Sequence, residues 1–481
     1  MAITRREFAE MIAASYFMSQ ESATSVNGKR GRPNILLILG DDHRWDALGC
    51  MGNKIVQTPH LDRLGQEGVI FDNHFCTTPI CCASRASIML SQYAATNGIY
   101  DFTTPLSAAQ VRETYWYQLK KAGYHIGFVG KFGVGATMPS EEFDYWKGFP
   151  GQGKYFPEGP NGPHLTYIMR DQANEFFENA PRDQPFCLSV SFKAPHVQDE
   201  SPAQYLPSKD TLSLYEDTTI PPFTGAPTSD IRRFPLAIQH SESRHRWGVR
   251  FATPELYQAS YKGYYRLISG IDNAVGSMRE TLARVGYADN TIIIYSADHG
   301  IFNGEHGLAG KWYGQEESIR MPLIVYDPRY PESIKGTRRS AMTLNIDLHP
   351  TIVEMAGLET PATAQGQSVI PLIIDRNVQG RHRWFLEHHF PYGGWIPSSE
   401  GIRTERWKYI CYTDSAAPFE ELYDLQSDPH ETRNLVGIAQ YARVHDTLSS
   451  YRRLWRDSLH NAKSNWIAPI DSERLRSDGL E

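Results

Sequence analysis

The chain has 481 residues, 41% hydrophobic and 21% charged, an ordinary globular composition with room for one large domain and a smaller companion. Lys and Arg total 48 against 55 Asp and Glu, a net charge of -7. That balance excludes the basic excess of a nucleic-acid binder, yet leaves an anionic small substrate open, because local site charge can oppose the global sign. No run is long and apolar enough to span a bilayer.

At the N-terminus, Thr4-Arg5-Arg6-Glu7-Phe8 resembles a twin-arginine export signal, followed by a short, mildly apolar stretch over 11–18. Residues 1–30 are read as an export signal and linker, implying a periplasmic or secreted protein; a cytoplasmic protein with a plain N-terminus is the alternative. Apolar, β-branched runs at 34–39, 125–129, 186–192, 291–295 and 322–326 read as buried strands. Helical patterns lie between them, at about 59–66, 84–94, 111–122 and 256–285. The alternation predicts an α/β fold, a large, mostly parallel sheet flanked by helices, over 31–375. Residues 198–251, rich in Pro, Ser, Asp, Arg and His, read as a long excursion. After 375 the character changes: aromatic-bearing strands at 384–388 and within 402–413, then an amphipathic helix at 438–459. Residues 376–481 are therefore read as a smaller C-terminal α+β subdomain with an antiparallel sheet, ending in a polar tail.

The predicted strands end in residues that can do chemistry. Asp41-Asp42 follow the first, Lys131 follows the 125–129 run, His196 follows the 186–192 run, and Asp298-His299 follow the 291–295 run. Open α/β sheets bind ligands beyond the carboxyl ends of their strands. Acids and cations delivered to one such edge suit a divalent metal holding an anion. Singly, each piece has a plainer reading: a cap, a turn, a solvated lysine. Six cysteines are too few for a disulfide framework in a chain this long, and no C-x-x-C pair is present. The adjacent pair Cys81-Cys82 opens a helical pattern, where backbone N–H groups favour an anion. Two buried structural cysteines are the competing reading.

Cys81-Cys82-Ala83-Ser84-Arg85 resembles the C-x-[PA]-S-R signature of the type I sulfatases of the alkaline phosphatase superfamily. The resemblance extends, in order, through Asp41-Asp42-His43-Arg44, Thr58-Pro59-His60-Leu61-Asp62, Ala297-Asp298-His299-Gly300, Gly304-Glu305-His306-Gly307, Lys311 and Glu421-Leu422-Tyr423-Asp424-Leu425, covering roughly 33–460. It implies that Cys81 is converted to formylglycine by a maturation enzyme. It implies one divalent cation, usually calcium, on Asp41, Asp42, Asp298 and His299 together with the modified Cys81. The hydrated aldehyde would attack sulfur and later expel sulfate. Lys131 and Lys311 would hold sulfate oxygens, His196 would protonate the leaving oxygen with Lys311, and Arg85 would orient the nucleophile.

Two departures stand out. Many relatives carry a histidine two places after the lysine, where this chain reads Gly130-Lys131-Phe132-Gly133; His299, His306 or water would then take its part. His299 itself stands where many relatives have Asn. The cysteine pair, the altered lysine segment and Phe143-Asp144-Tyr145-Trp146 are similar to bacterial carbohydrate sulfatases. They imply a sulfated glycan of the N-acetylglucosamine 6-sulfate kind, with His306, His388, His389, Trp395 and Arg403 as pocket candidates. A phosphate or phosphonate monoester hydrolase and a silent glycan-binding protein are the alternatives.

Overall fold

The computed structural model describes residues 31–223, 225–390, 393, 395–414 and 418–460. The export-signal expectation at 1–30 and the tail after His460 lie outside them. The strands, in chain order, are β1 (Asn34–Asp41), β2 (Val69–Phe75), β3 (His125–Lys131), β4 (Tyr145–Phe149), β5 (Phe186–Pro195), β6 (Thr291–Ala297), β7 (Phe302–Asn303), β8 (Ala309–Gly310), β9 (Arg320–Tyr326), β10 (Thr337–Leu344), β11 (Arg383–His388), β12 (Ser399–Thr404), β13 (Trp407–Tyr412) and β14 (Phe419–Asp424). Eight of them form one sheet in the order β10-β2-β9-β6-β1-β5-β3-β4. Only β9 runs against its neighbours in that sheet, so seven strands point their carboxyl ends to one edge. This is the expected large, mostly parallel sheet flanked by helices.

The sequence of β1 explains its central place. Every residue is buried, and successive side chains alternate between two apolar layers. Leu36 and Ile38 pack toward helices Pro59–Glu67, Leu165–Asn179 and Pro254–Arg284. Ile35, Leu37 and Leu39 pack toward helices Cys81–Leu90, Tyr115–Lys121 and Leu348–Met355. Truncating one such residue to Ala costs roughly 2–5 kcal/mol, because the cavity collapses only partly. A second sheet, β11-β12-β13-β14, is antiparallel throughout. Trp384, Leu386, Ile402 and Tyr409 pack it against Leu448 and Trp455 of helix Ala442–His460 and against Phe75 and Met321 of the large sheet.

Some elements differ from expectation. The pattern at 84–94 is a helix Cys81–Leu90 closed by Ser91 in the left-handed region, then a short turn of helix at Ala94–Asn97. The pattern at 111–122 is broken at Thr114, whose extended backbone ends one helix and whose side chain caps the next by accepting from the Tyr117 N–H. The run 402–413 folds back between β12 and β13. Strands β2, β4, β7, β8, β10 and β14 were not anticipated. Among the described residues, no helix is long and apolar enough to cross a membrane.

Candidate active site

Topology gathers the chemistry at one edge. Asp41 is the last residue of β1 and Lys131 the last of β3; His196 follows β5 and Asp298-His299 follow β6. Asp42 takes a left-handed turn (φ 64°) directly after β1. Cys81 arrives from β2 through residues 76–80 as the first residue of its helix. That helix end is pinned: the Ser84 hydroxyl donates to the Asp298 carbonyl, and Asn345 Nδ2 donates to Ser84 Oγ at 2.9 Å.

Cys81 is fully buried, and its Sγ lies 3.4 Å from Asp41 Oδ1, 3.3 Å from His299 Nε2 and 3.3 Å from Lys311 Nζ. Arg85 donates from Nε to Asp298 Oδ2 at 2.9 Å and from Nη1 to the Lys131 carbonyl at 2.6 Å and to Ser191 Oγ. Lys131 Nζ bonds Asp41 Oδ2 and, at 2.6 Å, Gln152 Oε1. Lys311 Nζ reaches Asp42 Oδ1 at 2.7 Å. His196 Nδ1 lies 2.7 Å from the Val197 carbonyl, which makes Nδ1 the donor and turns Nε2 toward Asp42 Oδ2 at 3.5 Å.

Three carboxylates and three permanent cations thus balance in a buried cluster, where an unpaired charge would cost several kcal/mol. Burial pushes the Asp41 carboxyl up, but Lys131, His196, Arg85 and Lys311 together hold it well below the usual range. Burial opposes protonation of His299, yet Asp298 and the Cys81 sulfur carry it up to about 9 against the pull of Lys311. Burial, then Lys311, drives His196 well below an ordinary imidazole.

One oxygen, nitrogen or sulfur each from Asp41, Cys81, Asp298 and His299 lie within 4.8 Å of one another, as do those of Asp41, Asp42 and His196. Across the two groups, Asp41, Asp42 and Asp298 supply the carboxylate oxygens that a hard divalent cation takes. Arg85 Nη2, buried without a hydrogen-bond partner and 3.5 Å from Asp41 Oδ2, shows further unmet capacity beside the same oxygens.

The missing histidine has a steric counterpart. A Cβ on Gly133 (φ +75°) would stand 2.6 Å from Arg85 Cδ and 3.2 Å from its Nε. In this arrangement the space belongs to Arg85, and the imidazole against the Cys81 sulfur is that of His299.

The pocket candidates separate. His388 is buried with neither ring nitrogen hydrogen-bonded; burial, then His389 and His299, lower it to about 3. His389 is part-exposed, 3.7 Å from Glu400 and edge-on to Tyr100. Trp395 is 59% exposed on a loop whose Ile396 packs with Cys82 and Trp312. Two candidates lie apart from the Cys81 cluster. His306 is fully buried elsewhere, 3.0 Å from Arg233 and 3.3 Å from Asp230. Arg403 pairs with Glu316 at 3.4 Å and lines a different cavity, because the register Trp384↔Arg403 and His388↔Ser399 sends it to the opposite end of the sheet. Gly151-Gln152-Gly153, after Phe143-Asp144-Tyr145-Trp146, is similar to bacterial carbohydrate sulfatases, but only the structure sets Gln152 against Lys131; Ser191 and Asn345 carried no signal in the sequence.

The family described as Sulfatase matches residues 33–358. The chain belongs to the sulfatase family, whose members are sulfuric ester hydrolases. This sulfatase also matches the family described as N-sulphoglucosamine sulphohydrolase, C-terminal, over residues 304–457. It is 28% identical to an N-acetylglucosamine-6-O-sulfatase of Bacteroides thetaiotaomicron, over 86% of this chain and 84% of that protein. Among solved structures it resembles one in complex with its substrate D-glucosamine-2-N,6-O-disulfate: TM-score 0.77, 26% identity, 90% of this chain and 99% of that one covered. The phosphonate monoester hydrolase of Agrobacterium radiobacter shares the fold, with a TM-score of 0.74 at 23% identity over 89% of this chain and 96% of that one.

Proposed function

We propose that this sulfatase removes sulfate from a sulfated carbohydrate of the N-acetylglucosamine 6-sulfate kind, with Cys81 matured to formylglycine. The observation that carries the reading is the Cys81 sulfur set between Asp41, His299 and Lys311, at the start of a helix and inside a carboxylate cluster. The two glucosamine-directed relatives supply the substrate class. Asp41, Asp42, Asp298 and His299 would hold the divalent cation, most simply Ca2+, which when bound supplies positive charge to the sulfate and the nucleophile. A hydrated aldehyde at position 81 carries one hydroxyl to attack sulfur and a second to lose its proton as sulfate departs.

The remaining work falls to the chain's own side chains. Lys131 and Lys311 offer ammonium donors to sulfate oxygens, and Gln152 fixes the reach of Lys131. Arg85 holds Asp298 and the Lys131 backbone, setting the helix against the metal ligands. His196, with its Nδ1 proton committed to the Val197 carbonyl, presents Nε2 as an acceptor beside the leaving oxygen, and the Lys311 ammonium carries the proton that oxygen takes up. The unpartnered His388 and exposed Trp395 offer a hydrogen bond and a stacking face to a sugar. The segment Thr4-Arg5-Arg6-Glu7-Phe8 is assigned to export of the folded, matured protein.

The test is turnover of matched aryl sulfate and aryl phosphate, followed by defined sulfated monosaccharides. The reading expects sulfate to be faster and a glucosamine 6-sulfate to be accepted. Faster phosphate cleavage would transfer the assignment to the phosphate and phosphonate branch.

A further inference from the structure

A second cavity of about 1170 Å³ lies between edge strand β10, the Arg44-Trp45-Asp46 segment and the β12–β13 turn. None of the metal or catalytic candidates lines it. Its volume suits a ligand of several sugar units rather than a single small ion. Seven arginines line it, in a protein of net charge -7. Five of them pair with carboxylates: Arg44 with Asp46 and Glu305, Arg320 and Arg403 with Glu316, Arg338 with Asp72, Arg406 with Asp424.

Arg339 and Arg376 differ. Arg339 is 6% exposed, and its guanidinium donates only to neutral oxygens, among them the Leu372 and Ile373 carbonyls at 2.6 Å. Arg376 is exposed and has no ion-pair partner among the described residues. The nearest acid in the chain, Asp375, is committed to the Asn377 backbone and side chain at 2.9 and 3.0 Å. Both line the same cavity, and burial, then the charge of Arg376, lowers the proton affinity of Arg339. Two like charges facing one cavity, one of them buried, form a place where an anion relieves repulsion instead of creating it.

Aromatic surface stands beside this charge. Trp45 is already covered by two guanidiniums, Arg320 at 4.8 Å and Arg44 at 5.4 Å from the ring, so the open rings are Phe223 and its neighbours. An adjoining cavity of about 350 Å³ shares Arg44, Asp46, Phe223 and His430 and is walled by tyrosines such as Tyr257 and Tyr261. Exposed Arg376 can grip a sulfate group with its whole guanidinium and Arg339 can add charge and a remaining N–H, beside the half-buried rings of Phe223 and Tyr257; together they match a sulfated saccharide better than a free anion. We propose that this cavity is an anchoring site for a sulfated saccharide chain, separate from the Cys81 centre, with Arg339 and Arg376 binding its sulfate groups. The proposal rests on the sulfated-carbohydrate reading for its choice of ligand, but its binding test does not require turnover.

The probe is a size-defined sulfated dextran oligosaccharide, compared with unsulfated dextran and inorganic sulfate. Titration calorimetry on the full chain should show binding of the sulfated oligosaccharide that weakens with salt. Arg376→Glu should weaken it by about tenfold, and Arg376→Ala by less, while aryl sulfate turnover reports an intact Cys81 centre. Cys81→Ala should leave this binding in place. Unchanged affinity in both Arg376 variants would overturn the proposal. So would inorganic sulfate competing at equal sulfate concentration, which would reduce the site to an anion hole. Failure of the sulfatase reading appears separately, as absent sulfate ester turnover with anchoring intact.

Discussion

The carboxyl edge of the large sheet and the small antiparallel sheet place their polar residues by different rules. At the large edge, strands that run together end together, so Asp41, Lys131, His196 and Asp298 converge although they are far apart in sequence. In the small sheet, neighbouring strands run oppositely. The four-residue step from Trp384, opposite Arg403, to His388 is about 13 Å along the strand. His388 therefore faces the region of His299, while Arg403 belongs to the second cavity. Parallel topology turns strand ends into a site; antiparallel topology distributes them between two.

The sharpest way to break this contrast is at the large edge. Cys81→Ala should lower sulfate ester turnover by on the order of 10⁴-fold or more, while thermal unfolding shifts little. Stripping divalent cations with a chelator should abolish activity and lower Tm, and Ca2+ should restore both. Asp298→Ala should go further, since it leaves buried Arg85 without its carboxylate: a loss of about 3–5 kcal/mol in denaturant unfolding, besides weaker metal binding. His299→Ala should reduce kcat by roughly 10²–10⁴-fold, because its imidazole is the one set against the Cys81 sulfur. Gly133→His should not improve on the wild type, because its Cβ meets Arg85 first.

Effects at the small sheet should be milder and should split by position. His388→Ala should raise KM for a sulfated sugar about tenfold, with kcat on an aryl sulfate nearly unchanged. Arg403→Ala should leave both constants unchanged and show only in stability. Equal kinetic effects of the two would contradict the register argument. The smallest expected effect is at Glu387, beside His388. Burial, then Glu400, pushes its carboxyl from 4.5 up to about 8, against the Ala95 N–H that donates to it at 3.1 Å. A group that binds its proton more tightly when folded stabilises fully below 4.5, and that contribution is lost as pH rises through 8. Glu387→Gln should therefore flatten the fall of Tm between pH 5 and about 8.

Much of the large edge was legible because its strands are buried on both faces and read as unbroken apolar runs, β1 above all. Strand β2 was not, because Asp72, Asn73 and His74 interrupt it. Each finds a partner on the neighbouring edge strand: Asp72 accepts from Arg338, Asn73 donates to the Ser340 carbonyl, and His74 meets Thr343. The strand β10 that supplies them is itself polar, as an edge strand can be. Helix Cys81–Leu90 has every residue buried, so its pattern was legible but its ends were not: it stops at Leu90 rather than 94. Arg403 and His306 were attractive as chemistry but had no topological warrant, and the structure commits both to other partners.

The most direct test of the central claim is peptide mass spectrometry of the Cys81 fragment, from protein made with a formylglycine-generating enzyme, beside its sulfatase activity. The account predicts an aldehyde at Cys81 in proportion to turnover. Full sulfate ester hydrolysis by protein whose Cys81 remains entirely a thiol would contradict it.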